Sequence, residues 1–418
     1  MLTLTPHRPS IPAAGGISHF AARIVAPAAN ALSPRPPLDV ALILDRSGSM
    51  GADDKIDLAK RAVLSAIELL GPRDRFAIIA YDNEVDVVVA SGPASREAKQ
   101  AARLVVDALQ ARGGIDLHGG WQRGAEEVAQ ALTAQHIGKC IVVTDGRANQ
   151  GVTDREALVR LATTWRSAGV LTSTFGIGID FDENLLAPLA DAGGGAFWYI
   201  ERPERIATAL AAELQDTLEI TARDIDLELT CPAATTIEVL GSVYPVTKVE
   251  AGVFRIRLPD LASRQELDVI LAVEVAAGMA GETISIGAKM RDREMVMAAD
   301  SIALWLPRIL DTLAAAEGEN AEVGRRILRF QQADVVRQAG MLAANGDQAA
   351  AGRVLATFID GLAKRARDDA FAAKVSDELE EVANAYFHGD LVTMKQSFST
   401  SSNILRSRAS SGESRRSQ

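Results

Sequence analysis

Between residues 39 and 215 the chain alternates two patterns that one class of fold accommodates best. Apolar runs such as LDVALILD, RFAIIAYD, KCIVVTDG and LTSTFGIG have no polar face. Runs of this kind form strands buried on both sides. Between and after them come segments with apolar residues at three- and four-residue spacing: KIDLAKRAVLSAIELL, REAKQAARLVVDALQA, WQRGAEEVAQALTA, DREALVRLATTWRSAG and ENLLAPLADAG. These read as amphipathic helices, with Gly71 and Gly169 marking stops. The expected fold is α/β and Rossmann-like, a mainly parallel sheet with helices on both faces.

From about residue 222 the period changes to two. DIDLELT sets Ile225, Leu227 and Leu229 on one face and Asp224, Asp226 and Glu228 on the other, and VFRIRLP, ELDVILAVEVA and TISIGAKM continue the alternation. That pattern predicts a small antiparallel β-sandwich. HFAARIVAP, a strand candidate ahead of the α/β region, has no neighbour of its own, so it is expected to complete the sandwich around an inserted α/β domain. Further on, NAEVGRRILRFQQADVVRQAGMLAANGD and DQAAAGRVLATFIDGLAKRA predict a helical hairpin, turned at Gly346 and capped by Asp347. The expected layout is an N-terminal segment with a sandwich strand (1–38), the α/β domain (39–220), the sandwich (221–299), a helical region (300–396) and a disordered Ser/Arg-rich tail (397–418).

Composition excludes several classes. The net charge of −11 over 418 residues gives nucleic-acid binding no electrostatic support. Two cysteines, Cys140 and Cys231, are too few for a disulfide scaffold. No stretch approaches the roughly 18–20 apolar residues of a membrane span, and the N-terminus lacks the marks of a secretion signal. A cytoplasmic protein is the expectation.

The chemistry concentrates in LILDRSGSMG, where a buried run ends in Asp45 and places Ser47 and Ser49 at alternate positions of a glycine turn. Parallel sheets bind ligands at the carboxyl ends of their strands, and Asp145, after CIVVT, ends a second strand on that edge. Two carboxylates and two hydroxyls form a hard, all-oxygen set suited to Mg²⁺, or to another divalent cation such as Ca²⁺ or Mn²⁺. Against this, Asp45 could simply cap the next helix, and Asp-Gly in TDGR is a common turn dipeptide. The pair of acids on matching strand ends favours the metal site.

DRSGSM with VVTDG, together with KIDLAKRA, DRFAIIAYD and FGIGIDFDENLLAPLADAGGGAFWYI, resembles the von Willebrand factor type A domain and its metal-ion-dependent adhesion site, over roughly residues 39–215. The neighbouring sandwich is similar to that of bacterial proteins akin to calcium-activated chloride channel regulators and inter-alpha-trypsin inhibitor heavy chains; no channel activity is carried over. The resemblance implies five metal contributors: Asp45, Ser47, Ser49, a loop threonine and Asp145. Where the family shows Gly-Gly-Thr, ARGGIDLHGGW has Ile115, which offers no oxygen. Three readings stay open: a Mg²⁺ site with water filling the gap, a metal-free face, or a site in which Asp116 substitutes.

The rival from another class is a Mg²⁺-dependent phosphohydrolase, which also uses strand-end aspartates. It needs a second acid two residues beyond the first, where this chain has Ser47, and a phosphate cradle that the sequence lacks. The expected function is non-enzymatic: an adaptor that recognises a Glu or Asp of another protein through a bound cation, with a metal-free scaffold as the remaining alternative.

Overall fold

Three strands in which every residue is buried, Leu38–Asp45, Ile137–Thr144 and Val170–Ile177, make the centre of a six-stranded sheet. The computed structural model describes residues 1–29, 35–241, 243–293, 295, 297, 301–409 and 413–417. The chain divides into two units, one of Ala31–Glu219 with Asp390–Ser399, the other of Met1–Asn30, Ile220–Gly389 and Thr400–Gln418.

In the first unit the sheet order is Val85–Pro93, Arg75–Tyr81, Leu38–Asp45, Ile137–Thr144, Val170–Ile177, Gly194–Ile200. All neighbours are parallel except the edge hairpin of Arg75–Tyr81 with Val85–Pro93. From the central strand the chain builds one side, then crosses to the other at Ile137–Thr144. The switch point therefore lies between Leu38–Asp45 and Ile137–Thr144, where a doubly wound sheet opens a crevice at its carboxyl edge. Helix Leu117–Ala129 shows why the faces close. Its apolar stripe buries Leu117, Trp121, Ala125 and Val128 in one core with Ile43, Ile79 and Val142 of the sheet. At Gly124 a side chain would meet Ile43 Cδ1 at 2.5 Å, so the helix lies as close as its backbone allows.

The second unit is a sandwich with helices. Gly16–Val25 pairs antiparallel with Glu266–Val275 along its whole length, in a sheet ordered Leu2–Pro6, Gly16–Val25, Glu266–Val275, Thr236–Val239. Its partner sheet runs Val246–Glu250, Val253–Arg257, Asp226–Thr230, Thr283–Arg291, Ser301–Ile309, Ile11–Pro12. Ile225, Leu227 and Leu229 point into the shared core with Phe20, Ile24, Leu267 and Val269. Helices Ala321–Ala344, Gln348–Asp368 and Ala370–His388 follow, with Asp347 accepting the Ala350 amide at 2.8 Å as an N-cap. The fold class is the expected one: a Rossmann-like domain, an antiparallel sandwich and a C-terminal helical region.

Two boundaries need correction. Residues 300–396 do not begin as helix, because Ser301–Ile309 first adds a sandwich strand beside Thr283–Arg291. Nor is 397–418 wholly irregular: a helix covers Leu391–Leu405. Its residues Lys395 and Phe398 are buried in the first unit, where the Lys395 ammonium donates to the Phe181 carbonyl at 2.8 Å, pairs with Glu183 and sits 4.1 Å from the centre of the Phe181 ring. In the second unit Leu405 packs with Ala21 and Ile270, and the buried Ser407 hydroxyl accepts the Asp268 amide at 2.8 Å. Residues 410–412 and 418 of that expected tail lie outside the described residues.

Candidate functional site

Asp45 is the last residue of the central strand and has no exposed surface. Its Oδ1 accepts the Ser47 amide at 2.7 Å, which folds the chain into the turn the sequence suggested. Its Oδ2 accepts the Thr144 hydroxyl at 2.5 Å, tying it to the neighbouring strand end. Burial pushes the Asp45 carboxyl up to about 6; the bonds from Thr144 and Ser47 act against that rise, and the Asp145 charge adds to it.

Residues Gly48–Asp54 continue as a 3₁₀ turn broken by a kink at Ala52 and Asp53. The Ser47 and Ser49 hydroxyls stand 3.1 Å apart, and Ser49 donates to Asp145 Oδ1 at 2.6 Å. Asp45, Ser47, Ser49 and Asp145 are thus joined in one continuous set of hydrogen bonds at the sheet switch point. Asp145 Oδ2 accepts the Lys55 ammonium at 2.8 Å.

The remaining wall is the loop before helix Leu117–Ala129. It is fixed from both sides: the Gly48 amide donates to the Gly113 carbonyl at 3.1 Å, and Asn149 Oδ1 accepts the Ile115 amide at 2.9 Å. The Ile115 carbonyl in turn accepts the Asn149 and Gln150 amides at 3.1 and 3.2 Å. Ile115 is 6% exposed and belongs to the core formed by Ile43, Val142 and Trp121. A side chain built at Gly146 would meet Ile115 Cδ1 at 2.3 Å, so this isoleucine leans over the residue that follows Asp145. Asp116 is engaged elsewhere, as N-cap of the helix, with Oδ1 accepting the Gly119 amide at 2.9 Å. Beside the turn, Arg46 and Arg112 share Asp82 Oδ2, each at 2.7 Å.

The donor chemistry suits a hard divalent cation: two carboxylates and two hydroxyls, with no sulfur or imidazole in the set. Among the described residues no group of three or more His, Cys, Asp or Glu side chains gathers as a metal cluster. Two participants escaped sequence reasoning. Thr144 stands beside Asp145 in the same motif, and its hydroxyl is turned to Asp45. Lys55 opens the helix after the turn, and only folding brings it to an acid 90 residues away.

The family model of the von Willebrand factor type A domain matches residues 38–198, the segment that carries all of these oxygens. Residues 38–198 form a von Willebrand factor type A domain. The chain is 25% identical to YfbK of Escherichia coli K12 across 195 residues, which are 46% of this chain and 34% of that protein. It is 27% identical to human inter-alpha-trypsin inhibitor heavy chain H4 across 165 residues, 38% of this chain and 18% of the other. The chain therefore spans well under two thirds of these relatives. A solved von Willebrand factor type A structure from Catenulispora acidiphila superposes with a TM-score of 0.71 at 18% identity, covering 100% of this chain and 97% of that one. At that identity the likeness is one of fold, and it extends beyond the type A domain to the sandwich and helices.

Proposed function

We propose that this chain is a protein-binding module whose type A domain recognises an acidic side chain of a partner through a divalent cation, Mg²⁺ or a similar hard ion. Asp45, Ser47, Ser49 and Asp145 would hold the ion. When bound, the ion supplies an electrophilic position that a Glu or Asp of the partner can complete. The observation that carries this reading is the Ser49–Asp145 contact of 2.6 Å, because it draws the oxygens of two strand ends into one group at the switch point.

A binding role rather than catalysis is favoured by what surrounds these oxygens. A phosphohydrolase would need an acid at position 47, and Ser47 stands there with its hydroxyl turned to Ser49. Cys140 is fully buried in mid-strand, and burial pushes its thiol far up, so it offers no nucleophile. No helix among the described residues is long and apolar enough to cross a membrane. Ile115 favours a weak site, since it contributes an apolar side chain where the family resemblance implies a hydroxyl.

Calorimetric titration with MgCl₂ and MnCl₂ tests the reading. Wild type should bind one divalent ion, Asp45→Ala and Asp145→Ala should not, and a glutamate-containing peptide should bind only with the ion present. Wild-type protein that takes up no divalent ion even at millimolar concentration would sink the reading and leave the bare face as the binding surface.

A further inference from the structure

Lys55 is held where three local preferences oppose it. It is the first residue of helix Lys55–Glu68, the end at which the helix dipole disfavours a cation. Asp53 and Asp54 before it both have φ of 53°, in the left-handed region that residues with a Cβ avoid, and Asp54 caps the helix without a side-chain hydrogen bond. The lysine is 8% exposed, although ammonium groups normally keep to water. One contact offsets these costs, the 2.8 Å bond from its ammonium to Asp145 Oδ2. The other oxygen of the same carboxylate accepts Ser49 at 2.6 Å, so the ammonium and the proposed ion would draw on one acid.

We propose that Lys55 is a built-in rival of the divalent cation: its ammonium neutralises Asp145 while the ion is absent and withdraws when the ion binds. The inference rests on the divalent site proposed above and adds its regulation. A competing charge tethered to the protein cannot be diluted away, so it lowers the apparent affinity of the site by the same factor at every ion concentration. An ion reaching Asp145 replaces one positive charge by another and leaves the buried carboxylate neutralised in both states. The released ammonium would then lie at the rim of the site, facing whatever carboxylate a partner brings.

Mn²⁺ binding followed by electron paramagnetic resonance, with Lys55→Met and Lys55→Arg beside wild type, measures the competition. Removing a charged hydrogen-bond partner of Asp145 should tighten Mn²⁺ binding about tenfold to a hundredfold in Lys55→Met, while Lys55→Arg stays near wild type. In wild type, saturating Mg²⁺ should speed modification of Lys55 by an amine-reactive ester, read by peptide mass spectrometry, and this arm decides the matter if Lys55→Met fails to fold. Wild type and Lys55→Met binding Mn²⁺ equally would refute the rivalry and leave the metal site standing, as would Lys55 labelling that Mg²⁺ leaves unchanged in ion-bound protein. Absence of Mn²⁺ binding in both proteins would refute rivalry and metal site together.

Discussion

The Ser49 hydroxyl donates to Asp145 Oδ1 at 2.6 Å, a side-chain bond between residues 96 positions apart that ties the first turn of the type A domain to the end of the next strand. Ser49→Ala should lower stability by about 1 kcal/mol, the ordinary net worth of such a bond at a partly open site. Urea denaturation in EDTA measures this, and a midpoint unchanged from wild type would show that the turn holds itself.

The network around Glu213 is closed to water and makes a harder stability test. Its Oε1 accepts Lys139 at 2.7 Å and Ser173 at 2.5 Å, and its Oε2 accepts Trp198 Nε1 at 2.8 Å. Lys139 and Glu213 are both almost wholly buried. Glu213→Leu would strand the ammonium in the core and should cost about 3–5 kcal/mol, whereas pairing it with Lys139→Met should recover much of the loss. Denaturation of the two variants separates these outcomes; a double variant no better than the single one would place the cost in packing.

Acid should weaken the sandwich unit through its histidines. Burial lowers the pKa of His7 and His19 below the ordinary 6.5. At His7, Glu319, 3.3 Å from its Nε2, opposes the lowering while Arg8 and Arg365 add to it, and at His19 the neighbouring His7 adds to the lowering. Because the folded values lie below the unfolded one, the unfolded chain binds more protons as pH falls under 6.5. The contribution is therefore complete above that pH and is lost progressively as the pH falls through the folded values. His19→Gln should flatten the pH dependence of the urea midpoint between pH 7.5 and 5, roughly the range in which an ordinary histidine titrates. A variant as acid-sensitive as wild type would assign the effect to carboxylates.

Burial pattern made the α/β half legible, since LDVALILD and KCIVVTDG could only be strands covered on both faces, and the alternation of DIDLELT revealed the sandwich equally directly. Ser301–Ile309 was missed because Ala303, Trp305 and Pro307 lie on its exposed face, so outward apolar residues hide the two-residue period that Ile302, Leu304 and Leu306 carry inward. The helix Leu391–Leu405 has no strong periodicity among its serines and threonines; a few tertiary contacts hold it, such as Lys395 on Phe181 and Leu405 beside Gly241. At the candidate site the same division applies. Asp45, Ser47, Ser49 and Asp145 follow from strand ends and spacing, but the partners that orient them, Thr144 and Lys55, are set by folding across long separations.

Ile115 allows metal affinity and packing to be set against each other in one substitution. The side chain is part of the domain core and leans over Gly146 next to Asp145, while its backbone is fixed by Asn149 and Gln150. Replacing it by threonine keeps the β-branch, exchanges the two-carbon Cγ1–Cδ1 arm for a hydroxyl and offers that oxygen toward the oxygen set. The lost packing should cost stability, about 2–4 kcal/mol for the loss of two buried apolar carbons to a hydroxyl. The gained oxygen should tighten divalent binding by roughly tenfold to a hundredfold, the worth of about 1.5–3 kcal/mol for a contact to a charged centre. Calorimetry with MgCl₂ and urea denaturation in EDTA read the two effects independently. Tighter binding with lower metal-free stability is the expected pair. Unchanged affinity with the same stability loss would mean that the loop does not reach the ion, and that Ile115 serves the core alone.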